Sequence, residues 1–240
     1  MKSQLPEKEN KREYVREMFA RIAGRYNLMN RIMSLGQDVQ WRRMVVKKLN
    51  PHSNGFYLDV GAGTGDLTLE ILKQSAGAKV VAVDLTYQML AFGRITLDVP
   101  GVFQVVADAQ ALPFPDETFS GAVSGYLLRN VPDIRQAILE QKRVITNKSG
   151  IVSLDTTPPE RNFLYPFIYF YLKYVIPVLG WIIVRDRSAY DYLPESTRKH
   201  ISAIDLARIM EECGLTCVNW KKRMFGTMAI HYAEKCDGNR

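Results

Sequence analysis

Asp59-Val60-Gly61-Ala62-Gly63-Thr64-Gly65-Asp66 decides the fold of this chain, because it joins the apolar run Phe56-Tyr57-Leu58-Asp59-Val60 to a helical pattern carrying Leu67, Leu69, Ile71 and Leu72. A strand that turns straight into a helix needs residues free to adopt left-handed backbone, and its glycines let the chain approach a ligand with no Cβ in the way. The dinucleotide fingerprint requires glycine at its first, third and sixth positions, and the sixth here is Asp66. The phosphate loop fails as well, since no Gly-Lys-Ser/Thr follows. What remains is a glycine loop between two carboxylates, Asp59 and Asp66, which repels phosphates and suits a ligand with an ammonium group. S-adenosylmethionine is such a ligand.

Outward from this loop, residues 56–155 alternate short β-branched runs with helical patterns, the signature of βα units feeding a parallel sheet. An Asn50-Pro51-His52-Ser53-Asn54-Gly55 turn launches the first strand. The second is Val80–Val83, ending at Asp84, and the third is Phe103–Ala107, ending at Asp108 beside Ala109. Between them a helix carries Met89, Leu90, Phe92 and Ile95 until Pro100-Gly101 stops it. The fourth strand is placed near Ala122–Gly125, and Asp133 is placed to cap the helix that follows. Asn147-Lys148-Ser149-Gly150 then turns into a fifth strand at Ile151–Leu154. Two closing strands are expected near Cys217–Lys221 and Met228–Ala233. Asp84 stands where a carboxylate can accept hydrogen bonds from ribose hydroxyls, Asp108 where one can meet an adenine amine, and Leu85 and Met89 are candidate apolar walls.

Two regions lie outside this rhythm. Met18, Ile22, Tyr26, Met29 and Met33 form one apolar stripe on a helix spanning 13–33. Residues 163–184 are apolar except for Pro166, Lys173, Pro177 and Gly180, long enough at about 1.5 Å per residue to cross a bilayer. Lys173 at its middle costs at least ~3 kcal/mol there, and Pro177 interrupts the helix. A single crossing would also divide one sheet between two compartments. The segment, rich in tyrosine and with Trp181, reads instead as an interfacial or ligand-covering helix pair.

The 240 residues, 47% hydrophobic and 24% charged, suit one buried core and exclude a disordered or repetitive chain. Cys213, Cys217 and Cys236 are odd in number and crowded at one end, which argues against a disulfide framework and for a reduced, cytoplasmic home. His52, His200 and His231 are too scattered for metal ligands, so no metal is expected. The net charge of +7 gathers at Arg42-Arg43, Lys47-Lys48, Arg198-Lys199 and Lys221-Lys222-Arg223. These clusters suit an anionic surface such as lipid; without interleaved aromatics, nucleic acid is not expected, and a plain solvated face is the alternative.

Beyond the class I methyltransferase pattern, the chain resembles the ubiquinone/menaquinone biosynthesis C-methyltransferase family from about Val15 to Glu234. The matching stretches are Phe19-Ala20-Arg21-Ile22-Ala23 with Tyr26 and Met29-Asn30, then Ser34-Leu35-Gly36 with Trp41-Arg42-Arg43. Further on come Gly63-Thr64-Gly65-Asp66-Leu67-Thr68, Ala111-Leu112-Pro113-Phe114-Pro115-Asp116, Leu128-Arg129-Asn130-Val131 and Tyr192-Leu193-Pro194-Glu195-Ser196.

The resemblance implies a Rossmann-like, doubly wound, seven-stranded, mostly parallel α/β sheet forming one domain over 1–240. Within it are an N-terminal helical lid (12–50), a cofactor core (56–155), a hydrophobic helical insertion (156–200) and a C-terminal helix and strands (201–240). It implies methyl transfer from S-adenosylmethionine to a ring carbon of a prenylated quinol, foremost demethylmenaquinol. Carried over residue by residue, Thr64, Asp84, Asp108 and Ala109 would bind the cofactor, joined on the reading of the loop and strand ends by Asp59, Gly61, Gly63, Gly65, Asp66, Leu85, Met89 and Gly125. Because a phenol-type hydroxyl must lose its proton, Arg129, with Asn130 and Tyr26, is expected to polarise the quinol hydroxyl. An ion-paired, purely structural Arg129 is the competing reading. A prenyl tail would bring the enzyme to the inner face of the cytoplasmic membrane, and homodimerisation is left open.

The chain departs from the family pattern at Asn27 (usually Asp), Ser120 (Asp), Gly125 (often Ser), Leu127 (Gly) and the 146–150 turn. Gly125 and Leu127 are expected to line the substrate side and to alter the acceptor. Other readings are a methyltransferase for another hydrophobic phenol or lipid, a cofactor-binding assembly protein without turnover, and an RNA methyltransferase resting on charge alone.

Overall fold

Strand β1 (Phe56–Val60) is buried on both faces: Leu58 and Val60 point to one side of the sheet, Tyr57 to the other. In the computed structural model, which describes residues 8–161, 163–184, 189–190, 192, 195–197 and 200–236, it lies at the centre of a seven-stranded sheet of order β3-β2-β1-β4-β5-β7-β6. Its other strands are β2 (Lys79–Asp84), β3 (Val102–Val106), β4 (Phe119–Gly125), β5 (Ile145–Thr156), β6 (Leu215–Arg223) and β7 (Met228–Lys235). Strands β1 to β5 pair in parallel, while β7 runs antiparallel between β5 and β6. The seven-stranded, mostly parallel α/β fold is therefore as expected. Arg198-Lys199, the Leu193-Pro194 part of the Tyr-Leu-Pro-Glu-Ser stretch and the side chain of Ile95 lie outside the described residues.

Helices α3 (Gln37–Leu49) and α4 (Asp66–Gln74) bury Trp41, Val45, Val46 and Ile71 against Tyr57, Val80 and Val123 on one face. On the same face α5 (Tyr87–Leu97) packs Leu90 and Leu97 on Ala82. The opposite face receives α6 (Ile134–Val144) and α9 (Ala203–Glu212) through Ile138, Leu206 and Met210. Each fully buried aliphatic side chain here contributes about 1.5–3 kcal/mol relative to exposure. Asp133 caps α6 as expected, its carboxylate accepting from the Gln136 N–H at 3.1 Å. Because the strand order reverses between β1 and β4, their carboxyl ends open a crevice, the usual ligand position in such sheets.

Four expectations need correction. The single helix over 13–33 is three pieces: α1 (Lys8–Ile22), a 3-10 turn (Ala23–Arg25) and α2 (Tyr26–Met33). The stripe survives the break, since Met18, Ile22 and Met29 are buried with Ile176 and Tyr190. Asn147–Gly150 is not a turn before β5 but a bulge inside it, with Lys148 in left-handed backbone. Phe92 is exposed rather than core. The 163–184 segment is one helical run rather than a pair: α7 (Tyr165–Phe170), a π-helical stretch (Tyr171–Val175) and α8 (Ile176–Val184). The π stretch ends two residues before Pro177, whose missing N–H and ring disturb the regular ladder, so the run continues by widening instead of stopping.

Candidate active site

The glycine loop leaves β1 with Gly61, Gly63 and Gly65 all at positive φ, and α4 begins at Asp66. Buried Asp59 holds that junction, accepting from both the backbone N–H (3.0 Å) and the hydroxyl (2.8 Å) of Thr68 on α4. Its other carboxylate oxygen is buried without a partner. Burial pushes the Asp59 carboxyl up to about 7, and the Thr68 bonds only partly oppose it. Asp84, at the end of β2, accepts from the Gly63 N–H and the Thr86 N–H, each at 2.8 Å, and so ties the loop to the neighbouring strand. Burial raises its pKa while those two backbone bonds hold it down. Thr64 donates to the side-chain oxygen of Asn27 on α2 at 2.7 Å, so the amide at this departure still closes the loop over its neighbour.

A cavity of about 100 Å³ sits under this loop. Asp59, Gly61, Gly63, Thr64, Asp66, Asp84, Leu85, Met89, Asp108, Ala109 and Gly125 line it, together with Tyr26 and Asn130. Two expected residues are elsewhere. Gly65 is a packing position, because a Cβ there would fall 2.4 Å from Leu97 of α5. Arg129 lines a second cavity of about 310 Å³, mostly apolar, enclosed by Met33, Trp41, Leu164, Ile168, Tyr171 and Met228 among others. Tyr126 borders both. Gly125 and Leu127, expected on the substrate side, both border the cavity under the loop, where Leu127 lies against Gly61.

Arg42 overturns another expectation. Read as part of a basic cluster facing an anionic surface or solvent, it is buried, pairs with Asp38, and reaches Asp66 at 3.2 Å in the lining of the first cavity. Burial opposes its charge, but Asp66, Tyr126 and Asp38 together outweigh that and raise its pKa. One of the two carboxylates flanking the loop therefore already has a cation. Asp108 likewise pairs with Arg12 of α1 at 3.1 Å and accepts from the Gln110 N–H. Lys11 caps the Arg129 and Val131 carbonyls at 2.9 and 2.8 Å, so α1 is fastened to two loops around the cavity.

Arg129 is 5% exposed, and its guanidinium makes only loose contacts: Nε stands 3.9 Å from Asp155 and forms no hydrogen bond, while Nη1 reaches the Thr156 hydroxyl at 3.5 Å. It lies 5.4 Å from the centre of the Tyr126 ring. Asn130 donates to the Tyr126 carbonyl at 2.7 Å and accepts from the Tyr192 hydroxyl at 3.2 Å. Its amide therefore holds Tyr126 in a left-handed conformation (φ +58°) that a bulky residue rarely adopts. Tyr26 sits edge-on to Phe19, its hydroxyl pushed up in pKa by burial and drawn down by Arg129. Sequence reasoning missed Tyr126, Arg42 and Asp155. The Arg129 neighbourhood signalled the first, the Trp41-Arg42-Arg43 stretch marked the second without giving it a role, and nothing local signalled Asp155.

An α/β sheet with its last strand antiparallel, and a glycine loop without phosphate-binding residues at the switch point, define a class I S-adenosylmethionine-dependent methyltransferase. The orphaned Asp59 oxygen and the glycine cradle fit that cofactor. The chain belongs to the ubiE/COQ5 methyltransferase family, whose model matches residues 7–235. It is 42% identical to the ubiquinone/menaquinone biosynthesis C-methyltransferase UbiE of Desulfotalea psychrophila, over 92% of this chain and 90% of that one. With the demethylmenaquinone methyltransferase of Thermus thermophilus it shares 36% identity, over 91% and 100%. Among solved structures, an S-adenosylmethionine-dependent methyltransferase of Thermotoga maritima superposes with a TM-score of 0.64 at 17% identity, covering 92% of this chain and 99% of that one. The [4+2]-cyclase SpnF reaches 0.69 at 14% identity, covering 93% and 96%; at such distances the likeness shows the fold alone.

Proposed function

We propose that this enzyme methylates a ring carbon of a prenylated quinol, with demethylmenaquinol giving menaquinol as the favoured reaction. The observation that carries this reading is the pair of cavities sharing the Tyr126 wall, one lined by the glycine loop and by Asp59, Asp66, Asp84 and Asp108, the other almost wholly apolar, with Arg129 the one cation among its described lining residues. The similarity to relatives named as demethylmenaquinone methyltransferases supports the same acceptor. When bound, S-adenosylmethionine supplies an electrophilic methyl group on a sulfonium.

In this reading Asp84 receives the ribose hydroxyls on the lone pairs left free by its two backbone donors. Asp108 meets the adenine amine once Arg12 yields, and Asp59, Asp66, Thr64, Leu85, Met89, Ala109 and Gly125 shape the rest of the cofactor site. The quinol ring lies against Tyr126. A phenol-type hydroxyl has a pKa of about 10, and Arg129, poorly solvated and loosely paired, favours its phenolate while the proton passes to water. The deprotonated ring is then nucleophilic at carbon. Tyr26 closes the site from α2, and Asn130 acts by positioning Tyr126. Residues 12–50 serve as the lid. The largely exposed apolar run and basic residues such as Arg43, Lys47, Lys48 and Lys221 bring the enzyme peripherally to the cytoplasmic face of an anionic membrane.

The test is methyl transfer from labelled S-adenosylmethionine to reduced demethylmenaquinol with a short prenyl tail, beside the oxidised quinone and a simple phenol. Transfer to the reduced quinol alone is expected. Transfer to the phenol but not the quinol would move the acceptor to another class.

A further inference from the structure

The apolar cavity has a buried end and an exposed end. Trp41 and Arg129 close it inside, whereas Leu35, Phe167 and Phe225 line it while remaining 76%, 73% and 70% exposed. These three side chains come from the 34–36 turn, from α7, and from the short 3-10 turn Met224–Gly226 between β6 and β7. Scattered exposed apolar residues need no explanation, but three around one cavity mouth form a patch.

The backbone makes the point more sharply. Leu35 (φ +53°), Met224 (φ +45°) and Phe225 (φ +53°) are all left-handed, a conformation that disfavours branched or bulky side chains and that asparagine or glycine would take with ease. Two separate turns therefore hold large apolar groups outward in strained backbone at the same opening, which packing alone does not explain. The segments that carry the mouth also carry five cations, Arg31, Arg161, Lys221, Lys222 and Arg223. Among the described residues, the acids paired with them are Glu160, which pairs with Lys222, and Asp38, which Arg31 approaches at 3.6 Å and Arg42 pairs with from inside. An apolar rim whose flanking segments carry an excess of positive charge complements an anionic bilayer.

We propose that the 34–36 turn, the 224–226 turn and α7 form a collar seated in an anionic bilayer, through which the isoprenoid tail passes directly from lipid into the apolar cavity. The tail then never crosses water, and its ring leads inward to Arg129 and Tyr126. The identity of this occupant rests on the quinol reading above; the insertion of the collar does not.

The full chain with S-adenosylmethionine bound tests both parts. Phe225→Trp, in a background of Trp181→Phe and Trp220→Phe, is mixed with anionic vesicles containing lipids brominated near the headgroup. Quenching beyond that of the same background with Phe225 retained is expected; equal quenching overturns insertion. Leu35→Asn with Phe225→Asn then removes the apolar tips while relieving their backbone, so the thermal midpoint is expected to hold or rise. Turnover of a long-tailed acceptor embedded in vesicles should fall about tenfold or more relative to that of a short-tailed soluble acceptor, the scale of withdrawing one apolar side chain from a buried site. Equal falls on both acceptors, or none on the embedded one, overturn the portal. If the unaltered enzyme turns over neither acceptor, the quinol reading and the tail's route through the collar fall together, and quenching alone then decides insertion.

Discussion

Arg129 is a buried cation whose partner, Asp155, stands too far away to saturate it, and that combination suits a group meant to meet a developing phenolate. Arg129→Lys retains the charge but loses the planar fork. It is expected to lower kcat by roughly 10²-fold, the low end of what one group assisting proton removal contributes, with cofactor affinity unchanged by calorimetry. A variant keeping most of its turnover would return Arg129 to a structural role. At Asp59, burial raises the folded pKa to about 7, against about 4 in the unfolded chain. The folded protein thus binds the extra proton in that window, so this group's contribution is fully present below about pH 4 and is lost as the pH rises through 7. Asp59→Asn cannot titrate. Its urea midpoint should therefore gain on that of the unaltered protein as the pH rises from about 4 to about 7, with no further change above, and a gap independent of pH would contradict the shift. Arg129 was legible in the sequence because it lies inside a selective stretch. Its loose partner was not, because Asp155 is brought to it from the end of β5 by sheet pairing.

Among the elements, the existence and order of the strands were legible, and β1 matches its expected span at Phe56–Val60, but β4 begins three residues and β5 six residues before the expected starts, because sheet pairing extends them past the apolar runs. The helical run at 165–184 was legible in composition but not in shape. Continuing past Pro177 depends on the local π widening, and its placement depends on neighbours far along the chain. Gly180 is the closest of these contacts, as a Cβ there would fall 2.2 Å from Cγ of Tyr190. Gly180→Ala should push α8 away from Tyr190 and cost about 1–3 kcal/mol, read as a lower urea midpoint with an unchanged slope. An unchanged midpoint would mean that the helix sits more loosely than this contact indicates. Arg42 illustrates the same limit: a dibasic pair on an amphipathic helix looks solvated until α4 brings Asp66 over it.

For the molecule as a whole, β5 and β7 are paired along seven residues, so the chain before and after the apolar run belongs to one sheet. Among the described residues one helix, Tyr165–Ile183, is long and apolar enough to cross a bilayer, yet a single crossing there would have to tear that sheet apart. The enzyme is therefore expected to leave membranes in high salt or alkaline carbonate, and to pellet with anionic vesicles at low salt in a manner that fades as the Debye length shrinks from about 10 Å at 0.1 M salt. Retention in the carbonate pellet would refute peripheral attachment. The sequence by itself determined the α/β class, the parallel strand run, the glycine loop and its unsuitability for phosphate, because these follow from local backbone freedom and hydrophobic period. Only the tertiary structure decided that Arg42 is buried, that Gly65 packs instead of contacting the cavity, that Tyr126 divides two cavities, and that Leu35 and Phe225 meet at one mouth. Each of these depends on contacts between residues far apart in the chain, which no local pattern encodes.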